Sequence, residues 1–121
     1  MAKLSPEIKK MLGEIRPSLV ATASKSGKPN VSPKGSLRVV DDEQLAFAEV
    51  ASPRTISNLR ENPQVCVLVL DAANRKGCRI WGKATIENSG PLFDTCKAEL
   101  AARKMNVKHV VRITVDEVIT F

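Results

Sequence analysis

Residues Ser52 to Pro63 (SPRTISNLRENP) carry the chemistry most open to interpretation in this chain. A Ser-Pro start and an Asn-Pro stop bracket about three helical turns. Such a helix opens on Arg54 and Thr55, setting a guanidinium and a hydroxyl beside the backbone N–H groups that every helix start leaves unpaired. N–H dipoles, a cation and a hydroxyl can all donate to one dianion, so the pattern suits a phosphate. A plainer reading stays open here: Ser52 caps the helix, Pro53 fills its first turn, and Arg54 faces water.

Other elements must hold that helix in place. Ser5 and Pro6 open a first helix whose Ile8, Met11, Leu12 and Ile15 form one apolar stripe, and Pro17 ends it. Leu19 to Ser24 reads as a strand, and the turn-rich Lys25 to Pro29 leads into an extended segment from Asn30 to Val40. Pro33-Lys34-Gly35 interrupts that segment, because proline cannot donate to a ladder, so a bulge or exposed edge is expected there. Further strands are expected at Leu45 to Val50, Val65 to Leu70, Cys78 to Glu87, His109 to Val115 and Val118 to Phe121. Pro91 opens another helix, with Leu92, Phe93, Cys96 and Leu100 as its buried face. Short β-segments with hairpin-length turns predict a mainly β (α+β) fold, an antiparallel barrel of about six strands with a few short helices. The Ser52 helix then crosses one barrel mouth, with its start near the Pro33-Lys34-Gly35 segment if both share that rim.

A chain of 121 residues reads as one domain spanning 1–121, with an ordinary apolar fraction of 43%. No stretch reaches membrane-spanning length, and the polar start MAKLSPEIKK lacks the apolar core of a secretory signal, so a cytoplasmic location is the expectation. Cys66, Cys78 and Cys96 are widely spaced and His109 is the sole histidine, which argues against a disulfide framework and against a metal site. All three cysteines read as buried small hydrophobes. The net charge of +6 raises nucleic acid as a partner, but the nineteen basic residues are scattered and tyrosine is absent. With so few stacking platforms, nucleic-acid binding is disfavoured, and a positive field attracting an anionic ligand explains the charge as well.

Four segments, in order, resemble the FMN-binding split-barrel family related to pyridoxamine 5′-phosphate oxidase. They are SPKGSLRVV (Ser32 to Val40), QLAFAE (Gln44 to Glu49), SPRTISNLRENP, and WGKATI (Trp81 to Ile86). The resemblance implies a split barrel with FMN as cofactor, held in a cleft between the subunits of a homodimer. It implies that Arg54 and Thr55 bind the phosphate, with threonine standing where larger relatives usually carry lysine. Pro33, Lys34, Gly35, Ser36 and Arg38 then line the flavin, Ala48 and Glu49 lie beside its ring, and residues near Gly77 to Trp81 approach from the partner subunit. The family oxidase proper has glutamine where Gly77 stands, and a C-terminal Trp, Arg and His segment that does not occur in the residues up to Phe121. The implied function is therefore not that oxidase but an FMN-dependent oxidoreductase, of flavin reductase or electron-carrier type.

Single residues keep two readings. Lys34 either stabilises negative charge on the ring or is a solvated lysine on a bulge. Glu49 either meets the flavin or ends its strand in water, and Trp81 either flanks the flavin or belongs to a core or interface. Ser52 joins the phosphate site or merely caps. Asn58, one turn after Arg54, is placed to orient it. His109 has no carboxylate partner apparent in the sequence and reads as the start of a surface strand. FMN supplies its own redox chemistry, so the lack of a triad or paired acids does not exclude an oxidoreductase. Its partner would be a small-molecule redox partner or a nicotinamide donor, although no G-x-G-x-x-G fingerprint is present. The competing reading is a non-enzymatic barrel of the same fold that holds haem or a deazaflavin, or has lost its cofactor.

Overall fold

The structure is a computed structural model describing residues 2–121. Three helices and seven strands follow in the order α1 (Pro6–Glu14), β1 (Ser18–Ala23), β2 (Pro29–Lys34), β3 (Arg38–Asp41), β4 (Gln44–Glu49), α2 (Pro53–Glu61), β5 (Gln64–Asp71), β6 (Lys76–Glu87), α3 (Pro91–Ala101) and β7 (His109–Thr120). The strands form one antiparallel sheet in the order β2-β1-β5-β6-β7-β4-β3.

That order forces a barrel. β2 and β3 occupy the two opposite edges, yet only Gly35, Ser36 and Leu37 separate them in the chain. A flat sheet of this width would hold its edges about 29 Å apart at normal strand spacing. The chain from Lys34 to Arg38 reaches at most about 14 Å. The sheet must therefore curl until its edges approach, while no ladder joins them. This is a split barrel, as expected.

Alternation along the strands sorts the side chains. Val20, Leu45, Phe47, Val65, Val67, Val69, Ile80, Val111, Ile113 and Val115 fill the interior, joined by Leu4, Ile8 and Leu12 from the N-terminal segment and by Ile56 and Leu59 from α2. Each such side chain contributes about 1.5–3 kcal/mol by leaving water. On the opposite face of β4, Ala46 and Ala48 pack with Phe93 and Cys96 of α3, Val107 and Val110. β4 is thus buried on both faces, and its last residue, Glu49, goes with it.

The differences from the sequence reading are local. Asn30 to Val40 is not one strand; it breaks after Lys34, and its halves become the two edges. The two final strands are a single β7 running through Asp116-Glu117, because β6 pairs along that whole length with one irregularity at Trp81/Gly82. The barrel has seven strands rather than about six. Cys78 and Cys96 are buried as expected, while Cys66 is only half-buried.

Gly82 of β6 leaves no room for a side chain against β7: an added Cβ would stand 2.5 Å from the Thr114 carbonyl oxygen and 2.6 Å from Ile113 Cγ2. By contrast, a Cβ at Gly13 in α1 would meet nothing within 4 Å. Gly82→Ala should lower stability by about 1–3 kcal/mol, and Gly13→Ala should raise it by about 0.5–1 kcal/mol. Urea midpoints for the two variants check both signs.

Candidate functional site

Ser52, just before α2, is held from two sides. Its hydroxyl accepts a hydrogen bond from Lys34 Nζ at the end of β2. Its backbone N–H donates to Glu49 Oε2 at 2.8 Å. With the hydroxyl so engaged, Ser52 does not cap α2, and no other side chain does. Of the plainer reading, Pro53 in the first turn and an exposed Arg54 hold, but the Ser52 side chain makes no cap bond, so the start of the helix retains its donors. The Lys34–Ser52 bond also puts the α2 start and the Pro33-Lys34-Gly35 segment on one rim.

Lys34 is 8% exposed and its ammonium lies 5.4 Å from the centre of the Phe47 ring. The solvated-lysine reading is therefore wrong. Burial pulls its pKa below the ordinary 10.5, and the nearby Glu49 charge partly restores it. Glu49 is 3% exposed, so it is no solvent-facing strand end. It follows Leu45 and Phe47 on the inward face of β4, directly across from His109 of β7. His109 Nε2 stands 3.9 Å from Glu49 Oε1, and His109 Nδ1 hydrogen-bonds Asn88 Oδ1 at 2.7 Å. No local sequence pattern signals this carboxylate partner, which arises only from the β4–β7 register.

A cavity of about 430 Å³ opens beside Lys34, lined by Ser32 to Ser36, Ala48 and Val50 to Ser52 with Leu100, Arg103 and Met105. Ser36 shapes its wall: the hydroxyl accepts the Ala48 N–H at 3.0 Å and donates to the Ala48 carbonyl at 3.3 Å. One side chain thereby stands in for the next step of the β3–β4 ladder, freeing the Gly35-Ser36 backbone to turn away. A second cavity of about 380 Å³ shares Gly35, Ser36, Leu100 and Arg103 and adds Arg16, Arg38, Cys96 and Glu99. Arg38 is committed there to Glu99, with N–O distances of 2.9 and 3.2 Å, and that pairing raises its pKa further. Arg16 donates to the Gly35 carbonyl at 2.7 Å. Arg16 and Arg103 were not picked out from the sequence, since neither lies in a recognisable motif.

Pro33, Lys34, Gly35, Ser36, Ala48 and Ser52 thus come together at one cavity, with Glu49 directly behind Ser52 and Arg38 in the adjoining space. Arg54 is exposed and lines a separate depression with Ser24, Lys28, Ser57 and Asn58. Asn58 does not orient it: the Asn58 Nδ2 donates to Thr22 Oγ1 at 3.1 Å inside the protein. Thr55 is 1% exposed, and its hydroxyl is buried without a partner among the described residues. Gly77 and Trp81 line neither cavity. Gly77 is packed against Val69 and Phe121, where a Cβ would stand 2.4 Å from the Val69 carbonyl oxygen. No group of His, Cys, Asp and Glu fit to hold a metal occurs among the described residues.

The buried amine predicts a pH effect. Between the lowered native pKa of Lys34 and 10.5, the unfolded chain binds more protons than the native one. Stability contributed by Lys34 therefore rises with pH across that window and is reduced below it. Lys34→Met should flatten this alkaline rise, measured by urea unfolding from neutral pH to 10.5.

A model of the pyridoxamine 5′-phosphate oxidase family matches residues 4–121. The uncharacterized protein MJ0282 of Methanocaldococcus jannaschii is 36% identical over 89 residues, covering 72% of this chain. The chain spans 57% of the length of that relative. Among solved structures, HupZ of Group A Streptococcus superposes with a TM-score of 0.90 at 26% identity, over 98% of this chain and 94% of that one. An FMN-binding protein from Syntrophomonas wolfei gives 0.77 at 17%, over 92% and 86%. HutZ, a haem storage protein of Vibrio cholerae, gives 0.72 at 24%, over 98% and 94%. The last two likenesses speak to the fold alone. The family match runs through every element from α1 to β7, and on that ground the chain belongs to the pyridoxamine 5′-phosphate oxidase family.

Proposed function

We propose that the protein is an FMN-binding flavoprotein, an oxidoreductase of flavin-reductase or electron-carrier type, with FMN held between the subunits of a homodimer. The observation that carries this reading is the uncapped start of α2 on the rim of the Lys34 cavity. Lys34, Ser52 and the free N–H groups of the first α2 turn offer donors to a phosphate and ribityl chain, and Arg54 adds charge from the outer side. Thr55 would contribute its backbone N–H, because its hydroxyl is enclosed. Bound FMN would supply hydride or single-electron chemistry, and the protein supplies position and electrostatics. The reductant is a small molecule, with a reduced nicotinamide as the first candidate.

Strand register supports the two-chain site. The row Pro33–Leu19–Leu68–Arg79–Ile119 crosses five strands on the outer face of the sheet, next to the row Val31–Ala21–Cys66–Trp81–Glu117. Val31 is 61% exposed, Ile119 44% and Leu19 37%, and with the exposed Arg79 and Glu117 among them these side chains make a mixed face suited to a second copy. Trp81 lies on this face and Pro33 ends one row at the cavity, so a partner seated there would approach the flavin.

A second reading has a specific basis. His109 lies beside Glu49 on a depression with Arg60 and Lys108, and its imidazole could ligate haem iron if Nδ1 left Asn88 Oδ1, with the Glu49 carboxylate then behind the ring. HutZ has this fold and is a haem storage protein. The absorption spectrum of protein purified without added cofactor separates the readings: flavin bands support the proposal, and a Soret band without flavin overturns it.

FMN should bind more tightly than riboflavin, because removing the phosphate forfeits charge-assisted hydrogen bonds of about 1.5–3 kcal/mol each. Arg54→Ala should erode that preference more than Arg60→Ala, with Arg60 in the last turn of α2. Fluorescence titration reads both. The protein should also sediment as a dimer, stabilised by FMN, and Ile119→Asp should shift it to monomer and weaken FMN binding at least about tenfold.

A further inference from the structure

The cavity of about 380 Å³ next to the Lys34 cavity gathers three arginines around a single acid. Arg16 comes from the link between α1 and β1, Arg38 from the start of β3, and Arg103 from the turn that ends α3. Two of them have local roles: Arg16 donates to the Gly35 carbonyl, and Arg103 sits at the negative pole of α3. Those roles do not account for the convergence. Like charges repel, and Glu99, the one acidic residue in the lining, leaves the cavity strongly positive.

Glu99 also shows which chemistry the cavity accepts. Its two oxygens take Arg38 Nη1 and Nη2 at 2.9 and 3.2 Å, the two-pronged match of a guanidinium to a planar carboxylate. The Glu99 side chain is 56% exposed, so water competes for this ion pair and the pair is weak. A ligand carboxylate could take the Arg38 fork while Glu99 swings into solvent, with Arg16 and Arg103 adding charge around it. Leu100 lines both cavities and offers the body of such a ligand an apolar wall. Gly35 and Ser36 line both cavities as well, and they belong to the segment assigned above to the flavin ring.

We propose that this arginine cavity is a carboxylate subsite, and that the small molecule meeting the flavin is an organic acid held there by Arg38 and Arg103, with Glu99 as the internal carboxylate it displaces. The place beside the flavin rests on the FMN reading, whereas carboxylate binding itself does not.

Calorimetric titration of the full chain with benzoate, and with benzamide as its neutral isostere, tests the subsite without FMN. Benzoate should bind, and benzamide should bind at least about tenfold more weakly, because it forfeits the charge-assisted bonds. Arg38→Gln should weaken benzoate binding by about tenfold or more. Arg103→Gln, on an exposed turn, should weaken it too and serves if Arg38→Gln fails to fold. Glu99→Gln removes the competing carboxylate and should tighten benzoate binding by about threefold to fivefold. A Glu99 that only braces α3 against β3 would give no gain, and that result would overturn the proposal, as would equal affinities for benzoate and benzamide. Phenyl phosphate bound more tightly than benzoate would overturn the carboxylate class. With FMN bound, benzoate should shift the visible flavin spectrum; benzoate binding that leaves this spectrum unchanged would overturn its place beside the ring. Failure of FMN to bind, with the benzoate results as expected, would remove the FMN reading and leave the carboxylate subsite standing.

Discussion

A buried lysine and a buried glutamate stay charged inside a protein only if each answers the other, and here they do so across one residue. Lys34 arrives at the end of an edge strand, Glu49 at the end of a doubly covered strand, and Ser52 takes a hydrogen bond from the first and gives one to the second. Neither charge could be left alone, since an unpaired buried ion costs several kcal/mol. The clamp therefore fixes how β2, β4 and the start of α2 meet. It also explains the uncapped helix, because the natural cap of α2 is occupied elsewhere.

That arrangement depends in turn on the curl of the sheet. The three-residue link from Lys34 to Arg38 draws the two edges of a seven-stranded sheet toward each other. Ser36 completes the link by imitating a ladder partner for Ala48. The result is a cleft at the seam of the barrel, where backbone groups are free of ladder duties. A split barrel places its irregular, ligand-accessible backbone at this seam, and a polar site there does not interrupt the hydrophobic interior.

Much of this could be read from the chain. Ser5-Pro6, Ser52-Pro53 and Pro91 marked all three helix starts, because proline in the first turn is a strong local signal. Alternating valines and isoleucines marked the strands, and the ordered motifs pointed to the family. What local signals could not supply was pairing. Glu49 opposite His109, Asn58 with Thr22, and Arg38 with Glu99 each join residues far apart in the chain. The division of Asn30 to Val40 between opposite edges is likewise a property of the closed sheet. Pro33 and Gly35 showed that the segment breaks, and only the topology shows where its halves go.

The central claim is that the start of α2, left open by the Lys34–Ser52–Glu49 clamp, receives the phosphate of FMN. A crystal structure of the protein grown with FMN tests it most directly. The account predicts phosphate density against the first-turn N–H groups of α2, with the ring along Pro33 to Ser36 and Lys34 turned from Ser52 to the ligand. FMN seated elsewhere, with the α2 start bare and the Lys34–Ser52 bond intact, would contradict it.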